Sequence, residues 1–377
     1  MAPRARFLHC HSTFDLGGKE TRAVRLMNAQ GDAAEHVVLT AVPGAIAARA
    51  AIDPAVRVAF PGEEAPPLRG RPSLARYRDL ARYMTGFDLV LSYNWGAMDA
   101  VAARRLLGAR RRLPPLIHHE DGFNEDELAG QKLARIHFRR LMLPAADRLV
   151  VPSRRLEAIA LADWKQPASR VLRIANGIAM PSDADLAKPR PIPGIAPCAG
   201  LVVGTVAGLR AVKNLPRLIR IFADGAPADA RLVILGEGPE RPAIVAEAVR
   251  CGIADRVLLP GFVRDPLRCM AGFDIFALTS DSEQFPISLI EAMACRLPVL
   301  ATQVGDVAAL LAGENRPFVL PPADEAGLAA ALARLARDAT LRAAIGAANR
   351  ALAVEDYDEQ TMIGRYLDLY RQTLRRV

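Results

Sequence analysis

Short apolar runs alternate with longer stretches of helical periodicity along the whole chain. In the first half the runs are RFLHC, HVVLT, DLVLSY, PLIHH and RLVVPS; in the second they are GLVVGTVA, ARLVILG, RVLLPGF, DIFALTS and LPVLAT. Runs of this kind fit parallel strands buried on both faces, and the segments between them are long enough for crossover helices. The pattern occurs twice, which predicts two doubly wound α/β domains. Between the halves lies MPSDADLAKPRPIPGIAP, with Pro181, Pro189, Pro191, Pro193 and Pro197. Prolines this dense cannot continue a helix or a central strand, so a semi-rigid linker is expected at 181–197, between domains at 1–180 and 198–355. The alanine-rich tract AGLAAALARLARDATLRAAIGAANRALA is expected to be plain helix. The last stretch, 356–377, is expected to be an amphipathic helix with Met362, Tyr366 and Tyr370 on one side.

Composition narrows the class. With 377 residues, 51% apolar and 24% charged, the chain is ordinary globular material. No run of about 18 uncharged apolar residues suits a spanning helix, and MAPRARFLHCHS lacks the apolar core of a secretory signal. The expectation is a cytoplasmic protein. Five scattered cysteines, without a CxxC pair, read as reduced and mostly buried thiols. The net charge of +8 is unevenly shared. Up to Asp185 there are 27 Lys/Arg against 20 Asp/Glu, and beyond it 22 against 21. A basic first half is either a solvated face or an attraction to an anionic membrane or phosphorylated acceptor. Nucleic acid is not expected, because only 5% of residues are aromatic and no recognition motif accompanies the charge.

Candidate chemistry gathers at strand ends. In SEQFPISLIEAMA, Glu283 lies in the loop leaving a strand and Glu291 about one turn into the next helix, with Pro286 in that helix's first turn. The amides near Ile287, Ser288 and Leu289 form an anion site there. Two carboxylates flanking such a site suit the hydroxyls and phosphates of a sugar–diphosphate–ribose ligand. The plainer alternative is a capping Glu283 and a surface Glu291. VVGTVAGLRAVKN puts Arg210 and Lys213 just past another strand end, where two cations either neutralise a diphosphate leaving group or stand as solvated loop charges. Gly17 and Gly18 make a loop with free amides, and Glu20 begins a helix. His118 and His119 end an apolar strand beside Glu120 and Asp121; alternation sends the two rings to opposite sides. His9, His11, His36 and His137 are read as structural.

Together these segments resemble the family-4 (group 1) glycosyltransferases of GT-B fold. SEQFPISLIEAMA resembles that family's E-x7-E signature, LGGKE its glycine loop and RIANGI its segment before the linker. VILGEGPERPAI and VLLPGFVRD resemble two further donor-domain segments. The resemblance implies two Rossmann-like domains facing a central cleft and a last helix that braces the N-terminal domain. It also implies metal-independent, retaining transfer from a nucleotide-sugar donor to a saccharide or lipid-linked acceptor, in envelope or exopolysaccharide biosynthesis, with peripheral contact at the inner membrane face. No cofactor is implied beyond the donor. Position by position, Glu283 would hold donor-sugar hydroxyls, Glu291 the ribose and Lys213 the diphosphate; His118 would lie near the reacting sugar, and Gly261 and Phe262 at the base. Gly17, Gly18, Arg210, Phe285, Ser288 and Leu289 complete the donor-binding set. Departures from the family pattern are Arg210 one place late, Gln284 and Arg296 in place of glycines, and Asp306 in place of another. A nucleotide-sugar epimerase and a non-catalytic nucleotide-sugar-binding subunit of the same fold are the alternatives.

Overall fold

The computed structural model describes residues 4–15, 17–71, 73–108, 112–122, 127, 130–192, 200–283 and 285–375. They divide into two compact units, one comprising Met1–Asn176 with Gln360–Val377 and the other Gly177–Glu359.

The first unit holds β1 (Ala5–His11), β2 (Ala34–Thr40), β3 (Arg57–Ala59), β4 (Leu89–Tyr93), β5 (Leu116–His119), β6 (Arg148–Val151) and β7 (Val171–Arg173). They form a seven-stranded sheet in the order β3-β2-β1-β4-β5-β6-β7, every pairing parallel. Strand alternation divides the apolar residues between two layers. Leu8, Val90, Leu116 and Leu149 enter a core with the helix Leu74–Met84. Phe7, Leu91, Ile117 and Val150 face the other way, onto Val24 and Met27 and onto Met362, Tyr366 and Tyr370 of the helix Glu359–Leu374. The helix Leu74–Met84 is capped by Ser73, which accepts from the Arg76 amide (3.2 Å), and it buries Tyr77, Leu80, Ala81 and Met84 at helical spacing.

The second unit repeats the design with β8 (Val202–Val206), β9 (Arg231–Leu235), β10 (Val257–Gly261), β11 (Ile275–Leu278), β12 (Val299–Thr302) and β13 (Val319–Leu320), in the order β10-β9-β8-β11-β12-β13. Every apolar run named above is a strand. The strands that the pattern did not announce are β3, β7 and β13, with three, three and two residues. They sit at sheet edges, where partial burial leaves no continuous apolar run to see.

Two segments differ from expectation. The alanine-rich tract is two helices, Glu325–Arg337 and Ala339–Asp356, parted at Asp338, whose side chain caps the second by accepting from the Leu341 amide (2.8 Å). Of the expected linker, residues 181–192 belong to the second unit. Ser182 and Asp185 form a capping box that starts the helix Asp183–Ala187. Arg350 donates to the Pro181 carbonyl (2.8 Å) and the Arg190 amide to that of Arg268 (2.9 Å). Pro193, Pro197 and Cys198 lie outside the described residues. Cys10, Cys251, Cys269 and Cys295 are free thiols.

Candidate active site

In each sheet the strand order reverses between two neighbours, β1/β4 in the first unit and β8/β11 in the second. Ligands of doubly wound sheets bind beyond the carboxyl ends of such strands. In the second unit, the loops leaving β8 and β11 carry Lys213 and Glu283.

Local chemistry ties those loops together. Lys213 ends the short 3-10 turn Ala211–Lys213, and Asn214 follows in the left-handed conformation (φ 43°), which asparagine tolerates. The Asn214 side chain accepts from the Arg217 amide (3.3 Å) and donates to the Asp281 carboxylate (3.1 Å). Arg217 donates to Asp281 (2.7 Å) and to the Thr279 carbonyl (3.0 Å), while the Asp281 amide donates to the Val212 carbonyl (2.8 Å). Stitched in this way, the loops bring Lys213 Nζ to 2.6 Å from Glu283 Oε1. Ser280 Oγ donates to the same oxygen at 2.6 Å. The Lys213 and Glu283 side chains are 17% and 8% exposed, so the pair is largely shielded yet reachable. An anion arriving here competes with Glu283 for the ammonium, and the carboxylate it releases is free to accept from hydroxyls.

After Glu283 the expected helix runs Ile287–Ala294, with Pro286 as its N-cap rather than inside its first turn. The Leu289 amide donates to the Pro286 carbonyl (3.2 Å), so Ile287 and Ser288 are the first-turn amides without an intrahelical acceptor to use. Glu291 lies on this helix, half-buried. Phe285 packs edge-on against Tyr357, ring centres 5.9 Å apart. Gln284 is outside the described residues.

Beside this loop pair runs the strap 236–238. Gly236 (φ +146°) and Gly238 (φ +157°) leave no room for a side chain: an added Cβ would meet the Ala207 carbonyl oxygen at 1.8 Å and that of Leu209 at 2.5 Å. The Gly236 amide donates to the Gly261 carbonyl (2.9 Å), and the next residue, Phe262, is 77% exposed. Arg210 is exposed at the start of the Lys213 turn.

In the first unit, Gly17 caps the helix Gly18–Gln30, and a Cβ on Gly17 would come within 2.6 Å of Glu20 Oε2. The Glu20 carboxylate thus folds back over the helix start, where the dipole favours negative charge, and it pairs with Lys19 (2.7 Å). Among the described residues, a Cβ on Gly18 would meet nothing within 4 Å.

His118 and His119 point to opposite sides of β5, and both are buried. His118 Nδ1 lies 2.8 Å from Ser92 Oγ, and its Nε2 faces Glu120 at 3.5 Å. Glu120 pairs with Arg139 (3.2 Å), which also reaches Glu127 (3.5 Å) and lies against the rings of Trp95 and Trp164. His119 Nδ1 lies 3.2 Å from the Ser92 carbonyl oxygen, its ring stacks on Tyr93 (4.5 Å), and burial pulls its pKa down to about 3. Tyr93 in turn stacks on His11 (4.0 Å), whose ring nitrogens have no hydrogen-bond partner among the described residues. Asp121 takes a two-armed ion pair from Arg22, with Nη2–Oδ2 at 2.8 Å. Burial pushes the Asp121 carboxyl up, and the Arg22 guanidinium more than offsets this, holding it below the ordinary range. Ser280, Ser92 and Arg22 were not singled out in the sequence, since a serine or arginine beside a strand end has no spacing that marks it. Among the described residues, no group of three or more His, Cys, Asp or Glu is placed to hold a metal ion.

Residues 17–177 match the model of the glycosyl transferase 4-like domain, and residues 200–338 match that of the glycosyl transferases group 1. The chain belongs to the group 1 glycosyltransferases. Among curated relatives of this glycosyltransferase is N-acetyl-alpha-D-glucosaminyl L-malate synthase of Bacillus anthracis, 28% identical over 45% of this chain and 45% of the relative. Another is the lipopolysaccharide core biosynthesis glycosyltransferase LpsD of Rhizobium meliloti, 25% identical over 50% of this chain and 56% of the relative. The chain thus matches about half the length of these curated relatives. Anabaena HepE, solved in complex with UDP, superposes with a TM-score of 0.78 at 20% identity, over 97% of this glycosyltransferase and 100% of HepE. The fold is therefore the two-domain α/β GT-B fold.

Proposed function

We propose that this chain transfers a sugar from a nucleotide-sugar donor to an acceptor hydroxyl, with retention at the anomeric carbon and without a metal. The observation that carries this is the Lys213–Glu283–Ser280 cluster at the switch point of the second sheet. On donor binding, the diphosphate takes Lys213, assisted by the Ile287 and Ser288 amides at the helix start. Glu283, released from Lys213 and still held by Ser280, accepts from donor-sugar hydroxyls. Glu291 holds the ribose, and the exposed Phe262 ring beside Gly261 stacks on the base. The anomeric C–O bond breaks with its electron pair leaving on the diphosphate, the acceptor oxygen bonds to the same face, and the acceptor proton passes to the departing phosphate. His118, buried against Ser92 and Glu120, belongs to the framework of the first sheet and is given no step in the transfer.

The acceptor is a saccharide or lipid-linked saccharide of envelope biosynthesis, met at the inner membrane face. The basic first half supports this. Among the described residues, no helix is long and apolar enough to cross a membrane.

Thermal unfolding with UDP, GDP, ADP and CMP tests the donor site. At about 100 times its Kd, the matching nucleotide adds ~2.7 kcal/mol. One nucleotide should stabilise the wild type and not Glu291→Ala, and activity should survive EDTA. No shift with any nucleotide overturns the assignment.

A further inference from the structure

The ligand-binding edge of the first sheet carries a cavity that the donor chemistry leaves unused. It measures about 330 Å³ and lies beyond the carboxyl ends of β2 and β3. Its lining is mainly apolar, with Val38, Ala41, Pro43, Ile46, Phe60 and Pro66 among the side chains that form it. Thr40 and Glu63 are the polar side chains of the described lining, and the Thr40 hydroxyl already donates to the Val42 carbonyl (3.0 Å), while Glu63 is exposed. A concave, apolar site of this size is at the lower end of the range for small-molecule pockets.

Its position relative to the glycine loop is fixed by backbone bonds. The loop 41–48, which forms one wall, is laced to the segment leaving β1. The Ala41 amide donates to the His11 carbonyl (2.9 Å), Val42 to Ser12 (3.0 Å), Phe14 to Ala45 (2.7 Å) and Ala48 to Phe14 (3.0 Å). That same segment runs on to Gly17 and Gly18. The cavity and the glycine loop are therefore neighbours on the edge of the sheet where doubly wound folds bind ligands.

We infer that this cavity holds the apolar part of the acceptor, an alkyl-type aglycone joined to the hydroxyl-bearing sugar. The inference rests on the proposed transfer reaction and names its acceptor class. The walls are mainly apolar and offer an alkyl chain burial, with few groups to hydrogen-bond a saccharide. A polar saccharide would lose its water there without compensation. The rim beside Glu63 stays open, so the sugar remains outside while the chain enters.

Alkyl β-D-glucosides from methyl to octyl, titrated below their micelle concentrations, test this by calorimetry. Each buried methylene should tighten binding about fourfold until the cavity is full, with a negative heat-capacity change. Ala41→Trp, which fills the cavity, should abolish the chain-length dependence. Pro43→Asp, at an exposed position on the rim, should reduce it at least tenfold for octyl glucoside, and both variants should keep the nucleotide-induced stabilisation. Binding that is flat with chain length in the wild type, or a dependence that both variants leave intact, overturns the inference while the donor assignment stands. Loss of nucleotide binding in the wild type overturns the donor assignment itself.

Discussion

The two units share a strand order and differ in what lies at the point of reversal. In the second unit, the charged groups at β8 and β11 sit in loops, 17% and 8% exposed, and neutralise one another in a direct ion pair that keeps some exposure to solvent. In the first unit, the polar groups are folded inward. His118, Glu120 and Arg139 form one fully buried chain, and His9, His11, His36 and His119 lie in the layer with Tyr93. All six histidines of the sequence fall in the first unit and none in the second. One scaffold thus supports a reachable electrostatic site in one copy and a buried polar framework in the other. Mutations should therefore cost activity in the second unit and stability in the first.

The largest effect is expected at Arg139. Arg139→Met leaves Glu120 buried without its arginine, while Glu127 keeps Arg135 (2.7 Å), and losing one partner of a buried pair costs about 3–5 kcal/mol. Urea unfolding should show that loss, and a change below about 1 kcal/mol would mean that the buried chain is not a stability element.

In the second unit, Lys213→Ala should lower kcat/KM by roughly 10²–10³-fold, the usual consequence of removing one group that stabilises a developing negative charge. Its unfolding midpoint should stay near that of the wild type. A normal kcat/KM would remove Lys213 from the site.

Acid should separate the units next. Burial lowers the pKa of His36 to about 4 and of His119 to about 3, and pulls His9 and His11 well below 6.5. Below pH 6.5 the unfolded chain takes up protons that the folded chain refuses, so stability falls as pH falls, until about 4 for His36 and about 3 for His119. Each group contributes a slope of up to ~1.4 kcal/mol per pH unit. Hydrogen exchange, corrected for intrinsic rates, should show β1 and β2 losing protection between pH 7 and 5.5 by more than β8 and β9, and His36→Phe should flatten the slope. Equal losses in both sheets would sink the assignment to the histidine layer.

The smallest change is expected from Ser280→Ala, which removes one hydrogen bond to Glu283 and leaves the charge in place. About 0.5–1.5 kcal/mol, or a few-fold in kcat/KM, is the expected loss. A loss as large as that of Lys213→Ala would make Ser280 a participant rather than a support.

Much of this was legible in the chain itself. The apolar runs disclosed ten strands because parallel strands buried on both faces leave continuous apolar sequence. Glu283 and Glu291 stood out because they share one strand-loop-helix segment, in which spacing alone sets position. Edge strands such as Val171–Arg173 did not stand out, being half exposed.

What the sequence alone determined is therefore local and periodic: the strands, the helix that opens at Ile287, and the family to which the motifs belong. What only tertiary structure decided is which distant groups meet. Lys213 and Glu283 are 70 residues apart, and Arg22 and Asp121 are 99 apart. His9, His11 and His36 carry no motif and became a buried layer only when β1 and β2 paired and Tyr93 of β4 closed over them. Pattern records whether a residue is buried, because burial selects its type; it does not record against what, because that is fixed by strand order and register.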